Sequence, residues 1–577
     1  MRKFFTVLLI GFLMSGFLFT VLGCKKQQAP VLSSVSQALP SDSRRLANGD
    51  VTFTVFIGDL NNLVSSYDYK DNLFTQKITD ETGINLEIVA TTGASASERL
   101  NVLLNTGDYT DLIIKNYASS QVLTMAEMVY YASEGIYISL DEYDPMSFPN
   151  IKRAFDLYPA FNDMLRSGDG KLYGLPAANE AVHTRFSNNQ HLYYQPFMHK
   201  YERDTGRGIP ETLDDFTTYL RWIRDTDVNE NGNRNDEIPL AFAVNSIRVF
   251  VDTFAKCYMP FVYANSHFGL AREGRQVVEQ YKDPRYREAL RYMAQLYSER
   301  LVYPDSFTQP QQALQALATA DTPVLATVTG GGANNQGTNY YYHARWLPIL
   351  KGPYGDQHSY DEGPWRYLGA SMFVTDKCKD PKLALAFFNY FLNHDVMLDG
   401  CFGPKGYGWD DPDPGTLSLI GGPVLYKILK LYGTADLNYT WNQVHPMLRT
   451  YEWRYGEQAN DVSNIERWLK TGDMSLFDSM KTNPSYNEVK NIIQAVLRIP
   501  YETPVERMIP PIPMSDSDAK RVADINVTLN TIIDQAMVGF IVGTRNINND
   551  AVWNAYLADL DRVGSREKAT IFEKYLR

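Results

Sequence analysis

The amino-acid sequence predicts an α/β protein built around a parallel sheet. Two observations carry that expectation. β-Branched and aromatic runs alternate with segments of helical apolar spacing, and glycine closes most of them. The order strand, helix, strand, helix, strand between Val51 and Lys115 then calls for right-handed crossovers within one sheet.

Each element has its own signal. "VTFTVFIG", Val51 to Gly58, is a buried strand ended by glycine. "DNLFTQKITDETG" carries Leu73, Phe74 and Ile78 at helical spacing, with Asp71 as cap and Gly83 as stop. "INLEIVA" is the second strand. "SASERLNVLLNTGD" sets Leu100, Leu103 and Leu104 on one face, and "TDLIIK" is the third strand. Such sheets bind ligands outside the carboxyl ends of their strands. No Gly-x-Gly-x-x-Gly or Gly-Lys-Ser/Thr fingerprint follows any strand, so nucleotide binding has no support.

The amino terminus sets the compartment. "MRKFFTVLLIGFLMSGFLFTVLGC" joins Arg2 and Lys3 to a continuous apolar run that ends in small residues before Cys24, the pattern of a secretory signal over residues 1–23. A membrane span is the alternative, since the run nearly reaches the ~20 residues that a span needs. "VLGC" resembles a bacterial lipobox, which implies cleavage before Cys24 and lipidation of its thiol. Residues 24–49 are polar and rich in Ser, Gln and Pro, a flexible tether. The formal charge of -12 becomes -14 once Arg2 and Lys3 leave, which argues against nucleic acid as a partner. Cys257, Cys378 and Cys401 remain, an odd number that cannot all pair within the chain; one bridge is open, and no disulfide framework is indicated.

The 577-residue length allows two or more domains. "ETGINLEIVATTGASASERLNVLLNTGDYTDLII" resembles the opening of bacterial extracellular solute-binding proteins of the sugar-transport type. "GDGKLYGLPAANEAVHTRFSNNQHLYYQ" looks like that family's first lobe crossing, and "IPETLDDFTTYLRWI" like the helix that follows. "RYLGASMFVTDKCKDPKLALAFFNYFL" is similar to a return crossing and its helix. "FIVGTRNINNDAVWNAYLADLDRVGSREKATIFEKYLR" fits the terminal helices of the larger oligosaccharide-binding lipoproteins. The resemblance implies a two-lobe periplasmic-binding-protein fold (type II), each lobe a mixed sheet flanked by helices, with extra C-terminal helices. Residues 50–175 with about 372–450 would form one lobe, and 176–371 with about 451–577 the other. The crossings are expected near Pro176–Asn179 and Gly369–Phe373.

The loop "DVNENGNRNDEIPL", Asp227 to Leu240, gathers small oxygen-bearing side chains around a glycine. The larger members of the family carry a calcium loop of this kind ending in "DEIP". Ca²⁺ takes six to eight oxygens at ~2.3–2.6 Å. A register starting at Asp227 places Asn229, Asn231, the backbone carbonyl of Asn233, and Asn235 as donors, with Gly232 at the tightest point. Ile238 stands at position twelve, so Asp236 and Glu237 are the closing carboxylates, and the register leaves open which of them ligates. The alternative is a solvated turn, which Asn and Asp favour without metal.

Other constellations are weaker. His183, His191 and His199 recur every eight residues, a poor ligand spacing. "TVTGGGANNQG" lacks the Lys-Ser/Thr of a phosphate cradle, and no Gly-x-Ser-x-Gly occurs. Asp361 and Glu362 would serve a glycosidase only if paired across a cleft. The sugar-stacking candidates are aromatic residues in loop-like context: Tyr340, Tyr341, Tyr342 and Trp346 in "NYYYHARW", Trp365 and Tyr367 in "EGPWRY", and Tyr407 and Trp409, beside Asp410, in "GPKGYGWDD". Trp365, Tyr407, Trp409, Tyr341 and Trp346 lead that set, with core packing as the alternative for each. The resemblance implies a lipid-anchored receptor on the extracytoplasmic face of the cell membrane, not an enzyme. It would deliver a sugar or oligosaccharide to the permease of an ABC importer. A secreted carbohydrate-active enzyme and a surface interaction lipoprotein are the competing classes.

Overall fold

The computed structural model describes residues 44–59, 69–92, 95–115, 125–180, 191–262, 269–330, 340, 343–359, 368–419, 422–430, 437–441, 444–459, 501–510, 512 and 514–576. The expected opening is present. Strand β1 (Val51–Asp59) runs parallel to β2 (Ile84–Thr92) over its full length and to β3 (Leu112–Lys115) on its other side. Helices Leu73–Thr82 and Ser95–Thr106 make the two crossovers. The cap of the first helix is Asn72 and not Asp71. Its Oδ1 accepts the Phe74 N–H at 2.9 Å while its Nδ2 donates to the Thr440 carbonyl at 2.8 Å. The site is fully buried, and an amide both accepts and donates there, which an aspartate carboxylate cannot.

The sheet is completed by segments far away in sequence. Strand β4 (Gly174–Asn179) belongs to it. So do β11 (Leu368–Val374), antiparallel to both β3 and β4, and β14 (Leu448–Arg449), parallel to β4. The order is β14-β4-β11-β3-β1-β2, a mixed sheet. Pro176–Asn179 and Gly369–Phe373, expected as crossings, are therefore neighbouring strand segments, with Ala177 opposite Gly369. The register of β11 shifts between Ala370 and Met372, beside Pro176, whose ring nitrogen has no proton to donate to a ladder.

A second sheet lies between these segments in sequence. Strands β5 (His191–Tyr194), β6 (Ile238–Ala241), β9 (Leu325–Thr329) and β10 (Ala344–Trp346) form it in the order β10-β5-β9-β6. Two small hairpins stand apart, β7 (Leu270–Glu273) with β8 (Gln276–Glu279), and β12 (Trp409–Asp410) with β13 (Lys427–Ile428). The helices Asp516–Val542, Asp550–Arg562 and Ser565–Tyr575 pack onto the second body through Leu529, Ile533, Phe540, Trp553 and Phe572.

Two large hydrophobic cores result among the described residues, with Val262, Ala271 and Met508 as a small cluster apart. One draws on Phe53 to Ala178 and Leu368 to Trp453, the other on Leu192 to Leu350 and Ile509 to Leu576, with Leu419 and Ala459. Aromatic contacts knit the first: Phe74 meets Trp441 edge-on at 5.6 Å, and the Trp441 indole N–H donates to Thr75 at 2.8 Å. Cys257, Cys378 and Cys401 are buried free thiols.

The chain enters the first body through a polar clamp. Arg44 forks onto Asp395 at 2.7 and 2.8 Å and reaches Glu81 at 3.0 Å. Tyr390 also donates to Glu81, and Lys77 bridges Glu81 to Asp399. Backbone N–H groups of Leu46 and Ala47 then bond the Thr82 carbonyl at 2.8 and 2.9 Å.

One buried charge makes stability depend on pH. Asp252, on the helix Ile247–Ala255, is fully buried, and neither carboxylate oxygen has a hydrogen-bond partner among the described residues. Burial pushes its carboxyl up to about 8, against the opposing pull of Arg248 and Lys256, with Asp534 raising it further. Unfolded, the group ionises near ~3.9, so the folded state keeps a proton that the unfolded state has lost. The stabilisation is full below about pH 4 and is lost as the pH rises to about 8. Asp252→Asn is expected to raise the melting temperature at pH 8–9 by several degrees and to change it little at pH 4–5. Melting curves of the two proteins across that range check this, and a constant offset at every pH would contradict it.

Candidate site at the carboxyl end of the first sheet

The carboxyl ends of β1, β3, β4 and β14 and the amino end of β11 share one end of the first sheet. The chain leaves for the second body after β4, returns into β11, and leaves again after β14. In open α/β sheets this end faces the ligand. Here it carries Lys115, Asn179, Glu180 and Arg449.

These side chains are tied to a short helix that follows β14. Thr450 caps the helix Tyr451–Tyr455 by accepting the Trp453 N–H at 3.2 Å. Arg454 donates from Nη1 to the Asn179 Oδ1 at 2.9 Å. Glu180 Oε2 accepts the Tyr158 hydroxyl at 2.5 Å and the Tyr451 N–H at 3.3 Å. The Glu180 N–H donates to the Arg449 carbonyl at 2.7 Å, which fixes the strand end against it. The Arg449 guanidinium lies 5.0 Å from the centre of the Trp453 ring. The second body's nearest sequence neighbour to this end is His191, at the start of β5. Its Nδ1 is 2.6 Å from the Thr329 hydroxyl. Burial pushes its pKa down to about 3, so it stays neutral in ordinary buffers. A cavity of 20 Å³ beside His191, lined also by Lys256, Cys257 and His358, has room for a water and none for a sugar.

The aromatic residues singled out from the sequence fall in three groups. Trp365 and Tyr341 lie outside the described residues, as do Tyr342, Tyr367, Asp361 and Glu362. Trp346 is half-buried on β10, and Tyr340 is buried, stacked on Tyr194 at 5.7 Å. Trp409 corrects the expectation of an exposed indole. It is 5% exposed in the first core, and its Nε1 donates to Asp399 at 2.7 Å. Gly408 turns the chain inward there, because a Cβ would fall 1.8 Å from the Phe402 carbonyl oxygen. Tyr407 is half-buried and already stacked on Tyr439 at 4.4 Å, with Lys430 3.5 Å from its ring centre.

Arg449, Trp453, Glu180 and Tyr158 went unnoticed in the sequence. "RTYEWRYGEQ" does interleave cations with Tyr451, Trp453 and Tyr455, an aromatic-rich signal like that of "NYYYHARW".

The oxygen-rich loop sits elsewhere, between the helix Leu213–Asp225 and β6. Thr212 and Asp215 form a reciprocal cap at that helix's start. Asp227 accepts the N–H groups of Asn231 and Gly232 at 3.1 and 2.9 Å. Asn229, Asn231 and Asn233 each accept the N–H two residues on, at 3.0, 2.7 and 3.2 Å. Gly232 takes the left-handed conformation (φ 86°), as its place at the tightest point requires. Asp236 accepts from the Asn231 amide at 2.6 Å, and Glu237 turns inward to accept the Val228 N–H at 2.7 Å. Asp236 Oδ1 and Glu237 Oε2 are buried without a partner among the described residues, and burial raises the Glu237 pKa. Among the described residues, no three His, Cys, Asp or Glu side chains converge as a ligand set. Any cation here relies on the asparagine and backbone oxygens as well. Of the three histidines, His191 is buried, His199 is exposed, and His183 lies outside the described residues.

The chain is 22% identical over 524 residues to the fructooligosaccharide ABC transporter substrate-binding protein FusA of Streptococcus pneumoniae serotype 4 (strain ATCC BAA-334 / TIGR4), covering 89% of this chain and 88% of that one. The structure of S. pneumoniae FusA in complex with kestose matches with a TM-score of 0.71 at 20% identity, over 91% of this chain and 98% of that one. An extracellular solute-binding protein of Bifidobacterium longum subsp. infantis matches at 0.68 and 16% identity, over 91% and 98%. The alginate-binding protein AlgQ2 without calcium ion matches at 0.64 and 13% identity, over 93% and 100%. These are two-lobed α/β proteins, and the mixed sheets and paired cores described above are of that architecture. The family described as bacterial extracellular solute-binding protein matches residues 74–408, more than half of the sequence, and the chain belongs to that family.

Proposed function

We propose that the protein is a receptor on the outer face of the cell membrane. It captures a sugar or oligosaccharide between two lobes and presents it to the permease of an ABC importer. It binds and does not turn over its ligand. One observation carries this: three passages of the chain leave or enter the first sheet at the end where Lys115, Asn179, Glu180 and Arg449 gather. Ligand recognition by FusA and AlgQ2 at similar overall architecture supports the choice of saccharide. The lobes are taken as residues 50–180 with 368 to about 455, and 191–359 with the remainder. The partition of the two cores supports these bounds. Ligand would bias lobe closure only as far as it prefers the closed form. Trp365 and Tyr341 stay as stacking candidates.

A panel of neutral and acidic oligosaccharides tests the reading by thermal shift and X-ray scattering. At least one is expected to raise the melting temperature and reduce the radius of gyration. No shift across the panel would sink the saccharide assignment.

We also assign the loop Asp227–Glu237 to calcium. Asp227, Asn229, Asn231, the Asn233 carbonyl, Asn235, Asp236 and Glu237 would hold it. The orphaned oxygens of Asp236 and Glu237 support the assignment, since a buried carboxylate oxygen without a partner is costly. The ion would tie the loop to β6 and play no part in ligand chemistry. Calcium at a hundredfold excess over Kd would add about 2.7 kcal/mol of stability. Chelation is therefore expected to lower the melting temperature by a few degrees, and Asp227→Ala to abolish that response. Identical curves with calcium and with chelator would leave the loop as a turn.

Cys24 is assigned as the lipid anchor on its sequence context, and it lies outside the described residues. Cys24→Ser is expected to move the protein from the membrane to the soluble fraction. Retention of a processed mutant in the membrane would place the anchor elsewhere.

A further inference from the structure

Arg449 differs from the arginines that fork onto carboxylates. Arg44, Arg221 and Arg248 are partly exposed, and each forks onto a carboxylate: Asp395, Glu299 and Asp534, all at 2.7–2.9 Å. Arg449 is only 4% exposed, yet its Nε and Nη1 have no hydrogen-bond partner and it makes no ion pair among the described residues. Glu180, the carboxylate of the strand-end network, already takes the Tyr158 hydroxyl and the Tyr451 N–H on one oxygen. Lys115 lies at the same sheet end, and Arg454 is tied to it through Asn179.

An unpaired buried guanidinium is strongly destabilising. A chain that folds with one has a reason to hold it ready. The Trp453 ring packs against the guanidinium at 5.0 Å, and the Thr450 cap and the helix Tyr451–Tyr455 hold Trp453. A held, desolvated, planar fork of donors is complementary to a carboxylate, whose two oxygens it meets in parallel. A neutral sugar hydroxyl offers one acceptor and no countercharge.

We propose that Arg449 is the specificity residue of the binding cleft and that the ligand carries a carboxylate, as in an oligosaccharide containing uronic or sialic acid. The inference rests on this sheet end facing the ligand, as set out under the proposed function.

The test uses the full mature chain, titrated calorimetrically with trigalacturonate, trimannuronate and sialyllactose and with the methyl ester of each. Esterification removes the charge and keeps the sugar. At least one acid is expected to bind a hundredfold or more tighter than its ester. Arg449→Met is expected to erase that difference, and at the same time to raise the melting temperature of the ligand-free protein, because it removes an unpaired buried charge. A residue that merely supported the fold would show the opposite thermal effect. Arg449→Lys keeps the charge and loses the fork, and an affinity loss of tenfold or more is expected. Equal binding of acid and ester, or unchanged acid affinity in Arg449→Met, overturns the assignment. Binding of neutral oligosaccharides alone also overturns it while leaving the receptor reading intact. Silence from every acidic and neutral saccharide overturns both.

Discussion

The antiparallel pairing of β4 with β11 is the constraint on which the rest depends. The two strands come from positions almost two hundred residues apart in the chain, and each is the last or first piece of the first sheet that the chain visits before or after building the second body. Tying them side by side brings the exit and the return together. A third passage, after β14, leaves from the same place because Leu448 and Arg449 pair with Ala178 and Asn179. Three strands in register at one edge set three departures of the backbone side by side, and the residues around them divide between two apolar interiors.

Much of the fold was legible in the sequence. Local periodicity exposed β1, β2, β3 and the two helices between them, because each buries a face that repeats at its own period. What local pattern cannot carry is partnership across long separations. Asn72 displaced Asp71 as a cap because Thr440 supplies an acceptor from 368 positions away. Trp409 looked exposed in a run of glycines, and it is buried because Asp399 and the missing Cβ of Gly408 draw it inward. Arg449 was overlooked for the same reason. Nothing in "LRTYEW" says that its charge will be enclosed without a counterion.

The oxygen loop shows a different limit. Its residue types and spacing were legible, and the ladder of asparagine turns follows from them directly. The same oxygens that shape an empty turn would also ligate a cation, since an oxygen that accepts one N–H retains a second lone pair. The inward turn of Glu237, buried under Val228 and Asn229, was not foreseeable from the order of residues alone.

The clamp at Arg44 has a mechanical consequence. Any tension along the residues that precede it meets the ion pair with Asp395 and Glu81 first, and then the hydrogen bonds of Leu46 and Ala47 to Thr82. These bonds join two segments of the first body, so a pull is absorbed there and never loads the β4–β11 joint. The first body is in that sense the half of the fold that takes a load from the amino-terminal side.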